Sequence, residues 1–154
     1  MDCQKIFNIY FYVNIFLFLV AVIATVVLWK SNSIYDKYEK IRNSKYKKQI
    51  IMAYRVGVAL FTLIGFFTAI LPVIRDKNSI NNKTYTVDYG QVVYISKDRG
   101  PYGLTKLFRI KTDGKILEVD VLKRDKGILK GDYVKVTWLE NSKEAVVEKC
   151  DKEE

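Results

Sequence analysis

The strongest constraint on this chain is a pair of long apolar runs, each closed at both ends by a basic residue. Between Lys5 and Lys30 no charged side chain occurs over residues 6–29. As an α-helix that run is about 36 Å long, against a bilayer hydrocarbon core of about 30 Å, so it can cross with some tilt. A cleaved secretion signal has a shorter apolar region, roughly 7–15 residues, ending in a small-residue site. This run ends in Val-Val-Leu-Trp-Lys, so it is read as retained. The second run, residues 56–74 between Arg55 and Arg75, makes about 28 Å of helix. That helix is expected to start near Ile50, with Arg55 reaching back to the headgroups and Pro72 near its end, where a lost backbone hydrogen bond costs least. The expected spans are therefore 6–29 and 50–74, with Tyr10, Tyr12 and Trp29 suited to the two membrane interfaces.

Ala53, Gly57, Gly65 and Ala69 recur at steps of four or eight on one face of the second span, interrupted by Phe61. Small residues let helix backbones approach closely, so this face is read as packing within the hairpin or as self-association into a homo-oligomer. Ala21 and Thr25 offer a smaller patch of the same kind on the first span. Asn14 is the strongly polar side chain well inside a span, and a lone Asn there acts mostly as interhelical glue.

The connector, residues 31–49, is strongly basic. Ser33 followed by Asp36 resembles a capping box, and Ile34, Tyr38 and Ile41 follow the period of one helix face. Lys37, Lys40, Arg42, Lys45, Lys47 and Lys48 supply the rest. The pattern predicts a short amphipathic helix lying on anionic lipid headgroups. The whole chain carries a formal charge of +9, and most of that excess sits in this segment and its flanks. Lys and Arg near span ends favour the cytoplasmic side, which places the connector inside and the C-terminal domain outside.

After a polar stretch read as a linker (76–83), the pattern changes to short runs rich in Val, Ile, Tyr and Thr. Strands are expected at 85–96, bent at Gly90, then at 104–112, 116–122, 132–139 and 144–149. Asp113-Gly114 is a strong two-residue hairpin turn. In the third run Leu117, Val119 and Val121 alternate with Glu118 and Asp120, so one face is buried and the other wet. The fold class is thus a two-helix transmembrane hairpin, residues 1–79, followed by a soluble, small all-β domain, residues 80–154, of the five-stranded OB or SH3-like barrel kind.

The stretches Leu129-Lys130-Gly131-Asp132-Tyr133-Val134-Lys135-Val136 and Trp138-Leu139-Glu140-Asn141-Ser142-Lys143-Glu144-Ala145-Val146-Val147 resemble the ends of small, uncharacterised two-span membrane proteins of Gram-positive bacteria. More loosely, the chain resembles the membrane-anchored OB domains of the NfeD group. The resemblance implies a fold and no activity. One departure stands out: residues 123–130 are too few for the helix that usually joins two OB strands.

Chemistry is sparse. The chain has no histidine, and Cys3 and Cys150 sit at opposite ends, in no metal-binding spacing. The acidic residues of the β domain do not follow a calcium-loop pattern, and no Gly-rich phosphate loop occurs. No catalytic, metal or cofactor site is therefore expected. The expected function is a membrane-anchored, non-enzymatic interaction module. Its candidate ligand loop pairs Lys97 and Arg99 with Tyr102, a combination suited to an anionic polymer or a protein partner. The alternative is an accessory subunit of a larger membrane complex, assembled through the small-residue face.

Overall fold

The structure, a computed structural model, describes residues 2–31, 33–96 and 106–150. The chain forms two compact units, one of Met1–Phe11 with Val73–Glu154, the other of Tyr12–Pro72. Among the described residues, two helical stretches are long and apolar enough to cross a membrane, the 28 residues of Cys3–Lys30 and the 36 residues of Lys47–Asn82.

In the unit Tyr12–Pro72, helix α1 (Cys3–Lys30) turns its half-buried residues Asn14, Ile15, Phe18, Val22, Thr25 and Leu28 to one side. That spacing of three and four is the seam of a packed helix pair. Across it lies α4 (Lys47–Gly65), followed by a π-helical turn (Phe66–Ile70). The Phe18 and Phe66 rings meet at 5.5 Å between centroids. Thr25 Oγ1 and Thr62 Oγ1 lie 2.9 Å apart, and each also reaches a carbonyl of its own helix, Ala21 O at 2.8 Å and Val58 O at 3.0 Å. A hydroxyl has one proton, so one threonine donates across the seam while the other donates to its own carbonyl. The π turn has a local cause. Pro72 lacks an N–H and its ring collides with the carbonyl four residues back, so the helix widens just before it. The Leu71 N–H accordingly bonds Phe66 O, five residues back.

The connector is not the single amphipathic helix that its periodicity predicts. It forms two one-turn helices, α2 (Ser33–Asp36) and α3 (Glu39–Arg42), separated where Tyr38 takes an extended conformation. Tyr35, absent from the expected face, is the anchor: it is buried, its hydroxyl donates to Leu28 O at 3.4 Å, and the Arg55 guanidinium lies 5.8 Å from its ring centre. Asn43 and Ser44 then interrupt the helix, because short polar side chains compete for the backbone; Ser44 Oγ accepts the Tyr46 N–H at 3.2 Å.

The other unit contains a closed barrel. Its strands are β1 (Thr86–Ile95), β2 (Lys106–Thr112), β3 (Lys115–Arg124), β4 (Tyr133–Trp138) and β5 (Glu144–Lys149). They close in the order β1-β2-β3-β5-β4, all neighbours antiparallel except the parallel pair β3 and β5. Val92, Phe108, Ile110, Val119, Val121, Val134, Val136 and Val147 fill the interior. At Gly90 of β1, an added Cβ would fall onto Lys111 O and within 2.8 Å of Thr112 Cγ2, so only glycine fits. The Asp113-Gly114 turn has positive φ at both residues, 36° and 79°, as the tight hairpin requires.

This unit is larger than the 80–154 domain marked off by composition. Residues expected to start the first span pack on the barrel instead: Phe7 is fully buried with Ile80, Leu139 and Val146, and Cys3, Ile6, Phe11, Tyr85 and Leu122 surround them. The stretch expected as a linker is helical too, with α5 (Leu71–Arg75) followed by α6 (Lys77–Asn82) and Asp76 between them. Ile80 explains why: a helix presents it to this second core, which an extended linker could not do reliably.

Candidate functional site

Apart from Ser96, whose Oγ accepts the Leu107 N–H at 2.9 Å, the buried polar groups of the barrel unit lie on or against one element, the β4–β5 hairpin. Two helical segments hold it. From the second, Asp76 is 1% exposed and accepts hydrogen bonds from Asn141 N (3.1 Å), Asn141 Nδ2 (2.7 Å) and Ser142 N (2.8 Å). Asp76 precedes α6 but does not cap it with its side chain; the carboxylate closes the turn 139–143 instead. A carboxylate accepting several N–H bonds is well compensated for its burial.

From the first helix, the Tyr10 hydroxyl bonds the carboxyl of Glu144, the first residue of β5. Glu144 is 8% exposed, and its Oε2 has no partner among the described residues. Asp120 faces it from the adjacent parallel strand, at the paired register position. Burial pushes the Glu144 carboxyl up to about 8; the Tyr10 bond pulls against that, and Asp120 adds to it. Lys143, the neighbouring cation, lies over the Trp138 ring at 4.2 Å, in a left-handed backbone conformation (φ 60°). Trp138 in turn donates Nε1–H to Asp88 at 2.6 Å.

The outer face of β1 and β2 carries exposed Tyr89, Tyr94, Arg109 and Lys111. The Arg109 guanidinium lies 5.4 Å from the Tyr94 ring centre and its Nε donates to Glu118 at 2.8 Å. That is a paired surface cation, and Lys111 is the further charge beside it. Lys97, Arg99 and Tyr102, the candidate ligand loop, lie outside the described residues.

Within the helical unit, the expected contact residues are arranged differently from the reading that the two spans meet on small residues. Nothing lies within 4 Å of a Cβ placed on Gly57 or Gly65, and Ala53, Gly57 and Ala69 are exposed. Ala53, Tyr54, Gly57, Val58 and Phe61 line a shallow apolar groove on α4. The seam with α1 runs through Thr62 and Phe66 instead, and Asn14 is half-buried beside it. Of the basic connector residues, Lys37, Lys40, Arg42, Lys45 and Lys48 are exposed, with Tyr38 and Tyr46 among them. Lys47 is the exception, held by Asp36 at 2.6 Å.

Sequence reasoning passed over Phe7, Asp76 and Glu144, and assigned Tyr10 to a membrane interface and not to Glu144. Phe7 and Tyr10 sit in an apolar run whose composition suits a bilayer, and Asp76 and Glu144 look like ordinary solvated acids. No group of acidic or sulfur ligands placed to hold a metal ion occurs among the described residues. No family model matches the chain, and no curated protein or solved structure matches it.

Proposed function

We propose that this is a two-pass membrane protein that presents a small barrel at the bilayer surface as a non-enzymatic interaction module. The observation that carries it is the second core: Phe7 and Ile80, from the two helical segments, pack with Leu139 and Val146 of the barrel. The turns of chain on either side of the apolar stretch thus belong to the barrel's own compact unit. With residues up to Phe11 used in that way, residues 12–30 provide about 28 Å of helix, still enough to cross. The strand order, with β3 parallel to β5, supports an OB-type barrel in which the usual helix between β3 and β4 is reduced to turns at Gly127 and Gly131.

The exposed lysines and tyrosines of the connector suit an anionic, cytoplasmic lipid surface, so the barrel faces the exterior. Labelling tests this. With Cys3 replaced by Ser, a membrane-impermeant maleimide reaches Cys150 in intact cells if the barrel is outside. Labelling only after lysis would place the barrel in the cytoplasm and reverse the orientation.

A second reading, an accessory subunit, is favoured by the open small-residue face of α4. A Gly57→Leu change would then disrupt a complex without touching the fold of the chain itself.

A further inference from the structure

Glu144 is a buried acid with no role in closing the barrel: its side chain leaves the barrel wall to meet Tyr10. The groups that act on it are Tyr10 from α1 and Asp120 from β3, with Asp76 ahead of α6 acting on Tyr10 from the same cluster. No Lys or Arg is among them. Ionising this carboxyl therefore buries a negative charge beside Asp120, with one hydroxyl bond as compensation and Oε2 without a partner. The second core would relieve this cost by opening: once the first turns of α1 leave β5, water reaches Glu144.

We propose that the Tyr10–Glu144 contact is a proton-dependent latch: while the carboxyl is neutral, the turns of α1 up to Phe11 stay docked on the β4–β5 hairpin, and its ionisation releases them. The raised affinity of Glu144 for its proton sets the working range between the ordinary 4.5 of a Glu carboxyl and about 8. Asp76 makes the other attachment, where three N–H donors from Asn141 and Ser142 keep α6 on the hairpin. The two attachments of the barrel thus differ: the Asp76 carboxylate has three N–H donors, whereas Glu144 has the Tyr10 hydroxyl and an Oε2 without a partner. The latch rests on the packing of the barrel unit alone, whichever side of a membrane that unit faces.

Cys3 reports on the latch directly, because it is half-buried at the edge of the Phe7 cluster. The full chain carrying Cys150→Ser is taken in detergent micelles, and the rate of maleimide addition to Cys3 is divided by that of the same chain unfolded at each pH, which removes the titration of the thiol. The latch predicts that protection of Cys3 falls by up to about tenfold for each pH unit between the ordinary 4.5 of a released Glu carboxyl and the value near 8 of the docked one, and levels off above it. It also predicts that Glu144→Gln keeps its protection within about twofold over the same range. Protection that stays level with pH in the parent chain overturns the proposal, as does a Gln variant that loses protection in parallel with it. Should the Gln variant not fold, the parent chain's carboxyl C=O infrared band decides: a protonated-acid band at neutral pH that disappears as Cys3 becomes reactive supports the latch, and its absence at neutral pH refutes it.

Discussion

Replacing Phe7 by Ala tests whether the first turns of α1 belong to the folded barrel unit. The ring is 0% exposed, packs at 5.1 Å from the Tyr85 ring centre, and closes a core with Ile80, Leu139 and Val146. Truncating a buried Phe removes its transfer free energy and leaves a cavity, together about 3–5 kcal/mol. The barrel interior around Phe108 and Val136 is a separate cluster, so the barrel itself should stay folded while its attachment to α1 weakens. The assay is urea unfolding of the full chain in mild micelles, followed by the fluorescence of Trp138 in a Trp29→Phe background. Phe7→Ala should lower the unfolding free energy by at least about 2 kcal/mol. Phe16→Ala is the control: that side chain is 64% exposed on the same helix and should cost less than about 0.5 kcal/mol. A loss under about 1 kcal/mol for Phe7, or an equal loss for Phe16, would show that the N-terminal turns are no part of the fold.

Four other outcomes follow from the same geometry. The folded Glu144 carboxyl ionises at about 8 against an ordinary 4.5, so its contribution to stability is complete below the lower value and is lost as pH rises to the higher. Glu144→Gln should therefore flatten the stability profile between those pH values, with a gap on the order of 3–5 kcal/mol at its alkaline end by chemical denaturation; a Gln variant with the parent's slope would assign the slope to other groups. Asp76→Ala leaves the N–H groups of Asn141 and Ser142 without their acceptor and should cost about 3 kcal/mol or more in the same assay, whereas a change within 0.5 kcal/mol would mean that solvent satisfies the turn. Gly90→Ala should weaken or abolish folding, because the methyl group meets Lys111 O, a backbone atom that cannot move without parting β1 from β2, while Gly57→Leu should leave monomer stability within about 0.5 kcal/mol. Neutralising Lys40, Arg42, Lys45 and Lys48 to Gln should give a mixed orientation by Cys150 labelling, and an unchanged orientation would remove the connector charges as its cause.

The elements that can be found in the sequence are those specified by near neighbours. Alternation in 117–121 and the Asp113-Gly114 turn locate β3 and its hairpin because a strand face and a tight turn are decided within a few residues. The apolar runs are equally legible, since a helix long enough to span a bilayer needs only length and the absence of charge. What that reasoning misses has a common cause. Phe7 is as apolar as its neighbours Ile6 and Ile9, and nothing local tells a side chain that packs on protein from one that faces lipid; its partner Leu139 is far along the chain. Asp76 is separated from its donors by 65 and 66 residues, so its polar surroundings in sequence suggest a linker when its partners in space make it a buried acceptor.

Glu144 shows the same effect with the opposite chemistry. Its strand reads Glu-Ala-Val-Val-Glu-Lys, in which a leading acid at a strand end would ordinarily be solvated. It is buried because α1 covers it, and α1 covers it because Phe7 and Val146 bring the helix there. The energetic conflict at this position is therefore a product of assembly: neither the barrel nor the helix has a strained acid until the two are docked. That is also why the conflict can act on docking. A buried charge confined to the barrel interior could be relieved only by unfolding the barrel, at the cost of its whole core. At the boundary between helix and barrel it can be relieved by separating one contact surface, which involves a smaller set of residues and leaves Asp76 holding the other helix.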